Sequence, residues 1–184
     1  MNSKSLNYIQ FNGEKIIGDI KVLKNNSFTS FNLLGSPNIY GNLADIPSAV
    51  FRNDSTGTIN GSGISGDLSI LPKNVAYINL GIYHTDGRGL YTWTKGNRTG
   101  EDTSIICGFN AGKFASAMDV DNMLIDAAGS TLKPVTSSHE SYNKIINCYV
   151  IGEYTPSSDA QNAIRTLYDK GLSKIIVNDI ELNR

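Results

Sequence analysis

Charge is scarce in this chain. Of 184 residues, 16 are Lys or Arg and 17 are Asp or Glu, and the formal net charge is −1. So even a balance lacks the basic excess that nucleic acid or an anionic membrane surface selects, so neither is expected as a partner. Long apolar runs are missing too, and membrane insertion is not expected. After Met1 the stretch NSKSLNYIQFNGEKIIGDI has neither a basic start followed by an apolar run nor a small-residue cleavage site, so no Sec signal is expected to export the chain. Only His84 and His139 can supply an imidazole, which leaves a nucleophile triad short of a base. His84 falls in a turn-rich stretch and His139 in a Ser-rich linker, and both read as solvated surface residues. The two cysteines, Cys107 and Cys148, fit no CxxC or metal-ligand spacing. They read as buried free thiols, and the sequence neither requires nor forbids a disulfide between them.

Glycine, serine, threonine and asparagine are plentiful, a make-up typical of β-rich extracellular or virion proteins. Length suits one domain, or one and a half, with a core able to fold unaided. Laid against itself, the chain repeats. IIGDIKVL (16–23), IYGNLADI (39–46) and ISGDLSIL (64–71) share the form Ile-x-Gly-Asp/Asn-apolar-x-x-apolar, and their glycines Gly18, Gly41 and Gly66 are 23 and 25 residues apart (41 − 18 and 66 − 41). A second segment recurs in phase, LNYIQFNG (6–13), FTSFNLLG (28–35) and VAYINLGI (75–82), with AVFRNDSTG (49–57) as a degenerate copy. A unit this short carries one strand and a return segment, cannot bury its apolar face alone, and must stack on its neighbours. The expectation is a short β-solenoid in which Gly serves close approach or a positive-φ corner.

From residue 82 the period breaks. GIYHTDGRGLYTWT reads as a β-hairpin turning at Asp86-Gly87, and TSIICGF as a strand. FASAMDVDNMLIDAAG carries Val120, Met123, Leu124, Ala127 and Ala128 at helical spacing, with Ser116 as N-cap and Gly129 as stop. A linker leads to a strand at 144–151, then a helix from Ser158 with Gln161 closing a capping box and Gly171 ending it, then the strand SKIIVND. Strand, helix, strand at that length implies a parallel, right-handed crossover. The expected class is α/β: a repeat solenoid over 1–81, a hairpin and strand insertion over 82–112, and a helix-strand-helix-strand cap over 113–184, forming one continuous domain.

The GDIxxLPxxLxYLxL style of the repeats is similar to that of leucine-rich-repeat-like proteins of Bacteroidetes and of the phages that infect them. SSDAQNAIRTLYDKGLSKIIV resembles the closing helix and strand of many of them, and DVDNMLIDAAG the helix that often precedes it. The family's Asn/Cys ladder position holds Glu14, Ser36 and Tyr83 here, so the resemblance implies a stacked β-solenoid rather than a regular horseshoe. It further implies a binding or assembly scaffold with no catalytic motif. The function expected from it is a structural or adhesive virion component, such as a head-fibre or tail-associated protein, in contact with other virion proteins or with itself as a homo-oligomer. The alternative is a bacterial cell-surface or secreted domain that binds glycan or host protein.

Motifs that would contradict a scaffold are weak. Asp119 and Asp121 flank Val120 at a helix start, where acids favour the positive end of the helix dipole. DVDN lacks the Gly and distal Glu of an EF-hand loop, and NGSGISGD lacks the Lys-Ser/Thr of a phosphate loop. No catalytic residue, metal or cofactor is expected. Asn25, Asn53, Asn60 and Asn97 stand in N-x-S/T sequons, which without export read as composition. Two surfaces suit recognition better. If Leu6, Ile9 and Phe11 point inward, then Tyr8 and Gln10, Ser30 and Asn32, and Tyr77 and Asn79 form a polar strip with an aromatic at either end, apt for sugars or proteins. The other surface is the hairpin, where Tyr83, Arg88, Tyr91, Trp93, Lys95 and Arg98 gather the only Trp with several cations, the residue types of interface anchors; the alternative is that Tyr91 and Trp93, on one face of a strand, cover the end of the solenoid.

Overall fold

The structure, a computed structural model, describes residues 8–10, 13, 15–24, 30–32, 36–46, 62–73, 83–104, 112–131 and 145–184. Its strands before the first helix are β1 (Tyr8–Gln10), β2 (Gly18–Asp19), β3 (Ser30–Asn32), β4 (Ile39–Asn42), β5 (Gly63–Asp67), β6 (Leu90–Thr92), β7 (Gly100–Ser104) and β8 (Lys113–Phe114). After them come α1 (Ala117–Ala128), β9 (Ser130–Thr131), β10 (Ile145–Val150), α2 (Ser158–Asp169), β11 (Lys174–Val177) and β12 (Ile180–Glu181). Eight strands form one open sheet in the order β12-β11-β10-β8-β6-β5-β4-β2, parallel throughout except for β12, so the fold is α/β. β1 and β3 pair in parallel as a separate ladder, with Tyr8 opposite Ser30, Ile9 opposite Phe31 and Gln10 opposite Asn32. β7 and β9 form a third.

The recurring Gly-Asx pair has a physical role in each copy. Asp19, Asn42 and Asp67 end their strands in extended conformation, and each side chain accepts a hydrogen bond from the main-chain N–H two residues on, at 2.8 to 2.9 Å. That bond satisfies an otherwise orphan donor and starts a 3-10 turn, which directs Ile20, Leu43 or Leu68 into the core. The glycines serve close approach. A Cβ on Gly66 would stand 2.9 Å from Asn42 Oδ1 and 3.1 Å from the Leu43 main-chain N, and one on Gly41 would meet Asp19 and Ile20 in the same manner. Gly41 and Gly66 also adopt φ of +134° and +137°, which side-chain-bearing residues avoid.

Register exposes a rung that the sequence pattern hides. Gly18 lies opposite Ile39, Gly41 opposite Ile64, and Gly66 opposite Tyr91. Tyr91 therefore occupies the position of the repeat isoleucines, and β6 continues the ladder. This corrects the expected hairpin insertion. Although the Asp86-Gly87 turn forms, closed by His84 N–H on the Arg88 carbonyl at 2.8 Å, both neighbours of β6 run parallel to it. Of the expected first arm, residues up to 82 fall outside the described residues and Tyr83 and His84 belong to no strand; residues 105–109 of the expected strand TSIICGF are also outside, and its start belongs to β7.

Both helices form where local chemistry placed them. Ser116 caps α1, accepting from Asp119 N–H and donating to the Asp119 carboxylate at 2.6 Å. α1 buries Val120, Met123, Leu124 and Ala127, and α2 buries Ala160, Ala163, Ile164 and Leu167, so that the two pack on each other. The α2 cap is Ser157 rather than Ser158, and Gln161 reaches the Pro156 carbonyl instead of closing a box. β10 alternates, with Ile146, Cys148 and Val150 buried, and pairs in parallel with β11 across the α2 crossover. The last strand is shorter than SKIIVND: Asn178 and Asp179, at φ 51° and 64°, turn the chain back as β12 in a two-residue hairpin.

Replacing Gly66 with Ala is expected to cost roughly 2 kcal/mol or more, since a strained φ and a close backbone neighbour combine there. Gly87→Ala, at a positive φ with nothing within 4 Å, is expected to cost about 1 kcal/mol. Urea denaturation of the two variants checks this, and equal losses would refute the stacking role.

Candidate interaction surface

The region that gathers the sole Trp with several cations folds inward. Tyr91 is 0%, Trp93 5% and Arg98 1% exposed, so Tyr91 and Trp93 pack inward, in line with the covering alternative, and none of the three is presented outward as an anchor. The cause is a carboxylate. Asp126, itself 1% exposed, takes a position on the apolar face of α1 and accepts from Trp93 Nε1 at 2.9 Å, Gly96 N–H at 2.9 Å and Arg98 N–H at 3.3 Å. A buried anion is tolerated only when donors surround it, and three converge here. Two main-chain donors among the three fix the path of residues 93–98 around the carboxylate.

That path carries the Arg98 guanidinium across to the repeat ladder. Its Nη1 donates to the Leu71 and Pro72 carbonyls at 2.6 and 2.7 Å, where the third repeat leaves its 3-10 turn. Burial pulls the guanidinium down to about 10, opposed by the Asp126 charge, so it stays protonated at neutral pH. Ser130 Oγ bridges the Arg98 and Asp126 carbonyls at 2.9 and 2.7 Å, and Asn97 Nδ2 reaches Ser69 Oγ at 3.0 Å. Asp119 and Asp121 are engaged as well. Asp119 accepts from Trp93 N–H at 2.9 Å, while Asp121 accepts from the Tyr154 hydroxyl at 2.8 Å and Ser157 N–H, tying α1 to the start of α2. Burial and that bond raise the Tyr154 phenol far above its ordinary value.

Asp67 links the third rung to the fourth. Its carboxylate accepts from Ser69 N–H and from Thr94 Oγ1 at 2.6 Å. Burial works to raise its pKa, but the bonds from Ser69 and Thr94 prevail and hold it below the usual carboxylate range.

Among the described residues of the expected hairpin, fewer side chains are accessible than the sequence implied. Tyr83 is half-buried with Lys113 Nζ 5.1 Å from its ring centroid, a cation–π contact. Arg88 donates from Nε to Asp86 at 2.9 Å and leans over Gly63, whose missing side chain leaves room for it. Gln10 is exposed. β1 and β3 place Tyr8 and Asn32 on one parallel ladder, while Tyr77 and Asn79, like His139 and Cys107, lie outside the described residues. Cys148 is free and buried, and burial pushes its thiol up to about 12. Comparison with protein-family models, with curated proteins and with solved structures finds no match to this chain. Among the described residues, no helix is long and apolar enough to cross a membrane.

Sequence reasoning missed Asp126 and Asn178, and it marked Asp67 as part of the repeat without its bonds to Ser69 and Thr94. Asp126 did leave a trace, an acid three residues beyond Met123 on the apolar face of α1. Asn178 left none, since it works by tying the β11–β12 turn to β10, accepting from Val150 N–H at 2.9 Å and donating to the Gly152 carbonyl at 2.8 Å.

Asp126→Ala is expected to destabilise the fold by roughly 3 kcal/mol, because it leaves the donors Trp93 Nε1, Gly96 N–H and Arg98 N–H without this acceptor and removes the negative charge that opposes the burial of the Arg98 guanidinium. A lowered urea midpoint with red-shifted Trp93 emission checks this; a shift below about 0.5 kcal/mol, the range of ordinary surface changes, would contradict it. Cys148 is expected to resist iodoacetamide at pH 8 in native protein and to react in 6 M guanidinium, read by peptide mass mapping; native labelling would contradict its burial.

Proposed function

We propose that this chain is a non-enzymatic assembly module, a structural or adhesive component of a bacteriophage virion of the head-fibre or tail-associated kind. The reading takes the parallel rungs as a short leucine-rich-repeat-like β-solenoid, capped at one end by the helices and the β10–α2–β11 unit. One observation carries it above the others: Gly41 and Gly66 each seat on the Asx-capped turn of the preceding rung. Such a stack builds a regular scaffold by repetition, with surfaces set by its outward residues and its ends. The polar groups best suited to chemistry support the same reading, since Asp67, Asp119, Asp121, Asp126 and Arg98 all hold elements together.

A second reading, a cell-surface or secreted domain that binds glycan or host protein, draws on Tyr83, Arg88 and Gln10, which retain exposure. Light scattering across a concentration series separates the two. An assembly module is expected to show a native mass of at least two chains of 19.9 kDa at micromolar concentration, whereas a monomer that is retained on a glycan or host-surface array would favour the second.

A further inference from the structure

The two edges of the eight-stranded sheet differ in a complementary way. At one edge β2 pairs, among the described residues, with β4 alone, and at the other β12 pairs with β11 alone. Both are two-residue strands with no second strand partner among the described residues, and an edge strand of that kind can pair with a strand of another molecule. Each also carries an apolar residue that the fold leaves in water: Ile17, beside β2, is 75% exposed and Ile180, in β12, is 67% exposed. Gly18 adds a sign specific to the repeat. Gly41 and Gly66 are covered by the preceding rung, but no described heavy atom lies within 4 Å of where a Cβ on Gly18 would stand. Its strand pairs in the register of the others, although Gly18 lacks their positive φ, and among the described residues nothing stands over its outer side.

Charge distinguishes the occupants. Around the β2 edge Lys15, Lys21 and Lys24 are exposed, and the side chains of Lys21 and Lys24 stand 69% and 59% in solvent while their acidic partners Asp19 and Asp45 stand only 23% and 19%. The β2 edge therefore shows the lysines of two ion pairs more than their acids, with Lys15 exposed beside them. At the β12 edge Asp179 and Glu181 flank Ile180, with Lys174 3.8 Å from Glu181, Arg165 on the same surface, and Arg184 there ion-paired to Asp169. Two β2 edges would oppose lysines to lysines, a repulsive pairing. A β2 edge against a β12 edge sets lysines against carboxylates and Ile17 beside Ile180.

We propose that the β2 edge of one copy docks on the β12 edge of a second copy, extending the sheet from molecule to molecule. This rests on the assembly reading above and specifies its contact. Because β12 runs against the direction of the other strands, copies in the same orientation meet there as an antiparallel pair, which the sheet geometry accepts. The contact is head-to-tail, so it continues as a filament or closes as a ring.

Complementation of two blocked variants tests it. Ile17→Arg blocks one edge and Ile180→Arg the other, both at exposed positions, and circular dichroism melts are expected to match the parent. Each variant alone is expected to run as a monomer by light scattering. An equimolar mixture is expected to restore a species of two chain masses, since each supplies the edge that the other lacks. If the parent assembles but Ile180→Arg assembles equally well, or if the mixture stays monomeric, the edge contact is overturned and the assembly reading stands. If the parent itself is monomeric at every concentration, the self-assembly on which this contact rests is overturned with it.

Discussion

A single buried carboxylate organises the middle of this protein. Asp126 projects from α1 where an apolar side chain would be the ordinary choice, and its cost of desolvation is offset by three donors that all come from the segment 93–98. Those donors fix the loop, the loop places Arg98, and Arg98 caps the carbonyls of Leu71 and Pro72. Two main-chain segments distant in sequence, the third repeat and the first helix, are thereby joined through Arg98 and Asp126. On the far side Lys170 extends the same logic, donating from α2 to the Ala128 and Ser130 carbonyls at the end of α1.

The repeat ladder works by a different principle. Its rungs depend on absence of a side chain at Gly41 and Gly66 and on a short polar side chain next to it, so that each turn seats on the one before. Behind these turns Ile39, Leu43, Ile64 and Leu68 build the core, and at Tyr91 the pattern passes to an aromatic without a change of strand direction. The sheet then continues through β8, β10 and β11 with the same parallel sense, although the sequence has abandoned the repeat. Continuity of the sheet, rather than of the motif, joins the buried side chains of the described residues in one core cluster.

Legibility followed the range of the forces involved. α1 and α2 were readable because caps and apolar spacing act within a few residues, and β10–α2–β11 because its lengths constrain a crossover. The first three rungs were readable from Gly18, Gly41 and Gly66. The fourth was not, since Trp93 and Thr94 replace Gly and Asx there, and the Asp86-Gly87 turn suggested an antiparallel return. Tyr91, Trp93 and Arg98 looked like surface anchors because the partner that buries two of them, Asp126, lies about thirty residues downstream on another element. The β11–β12 turn was hidden for a local reason: Asn178 and Asp179 adopt positive φ without glycine to announce it.

If Asp126 couples the ladder to the helical end, the two must unfold together. Native-state hydrogen exchange measures this directly, amide by amide. The account predicts one opening free energy shared by Ile64 and Leu68 in the ladder, Gly96 and Arg98 in the loop, and Ile146 and Ile175 in the C-terminal unit. Exchange of the ladder and loop amides at a clearly lower free energy than β10 and β11 would contradict it, and would mean that the carboxylate holds a loop without joining the two halves.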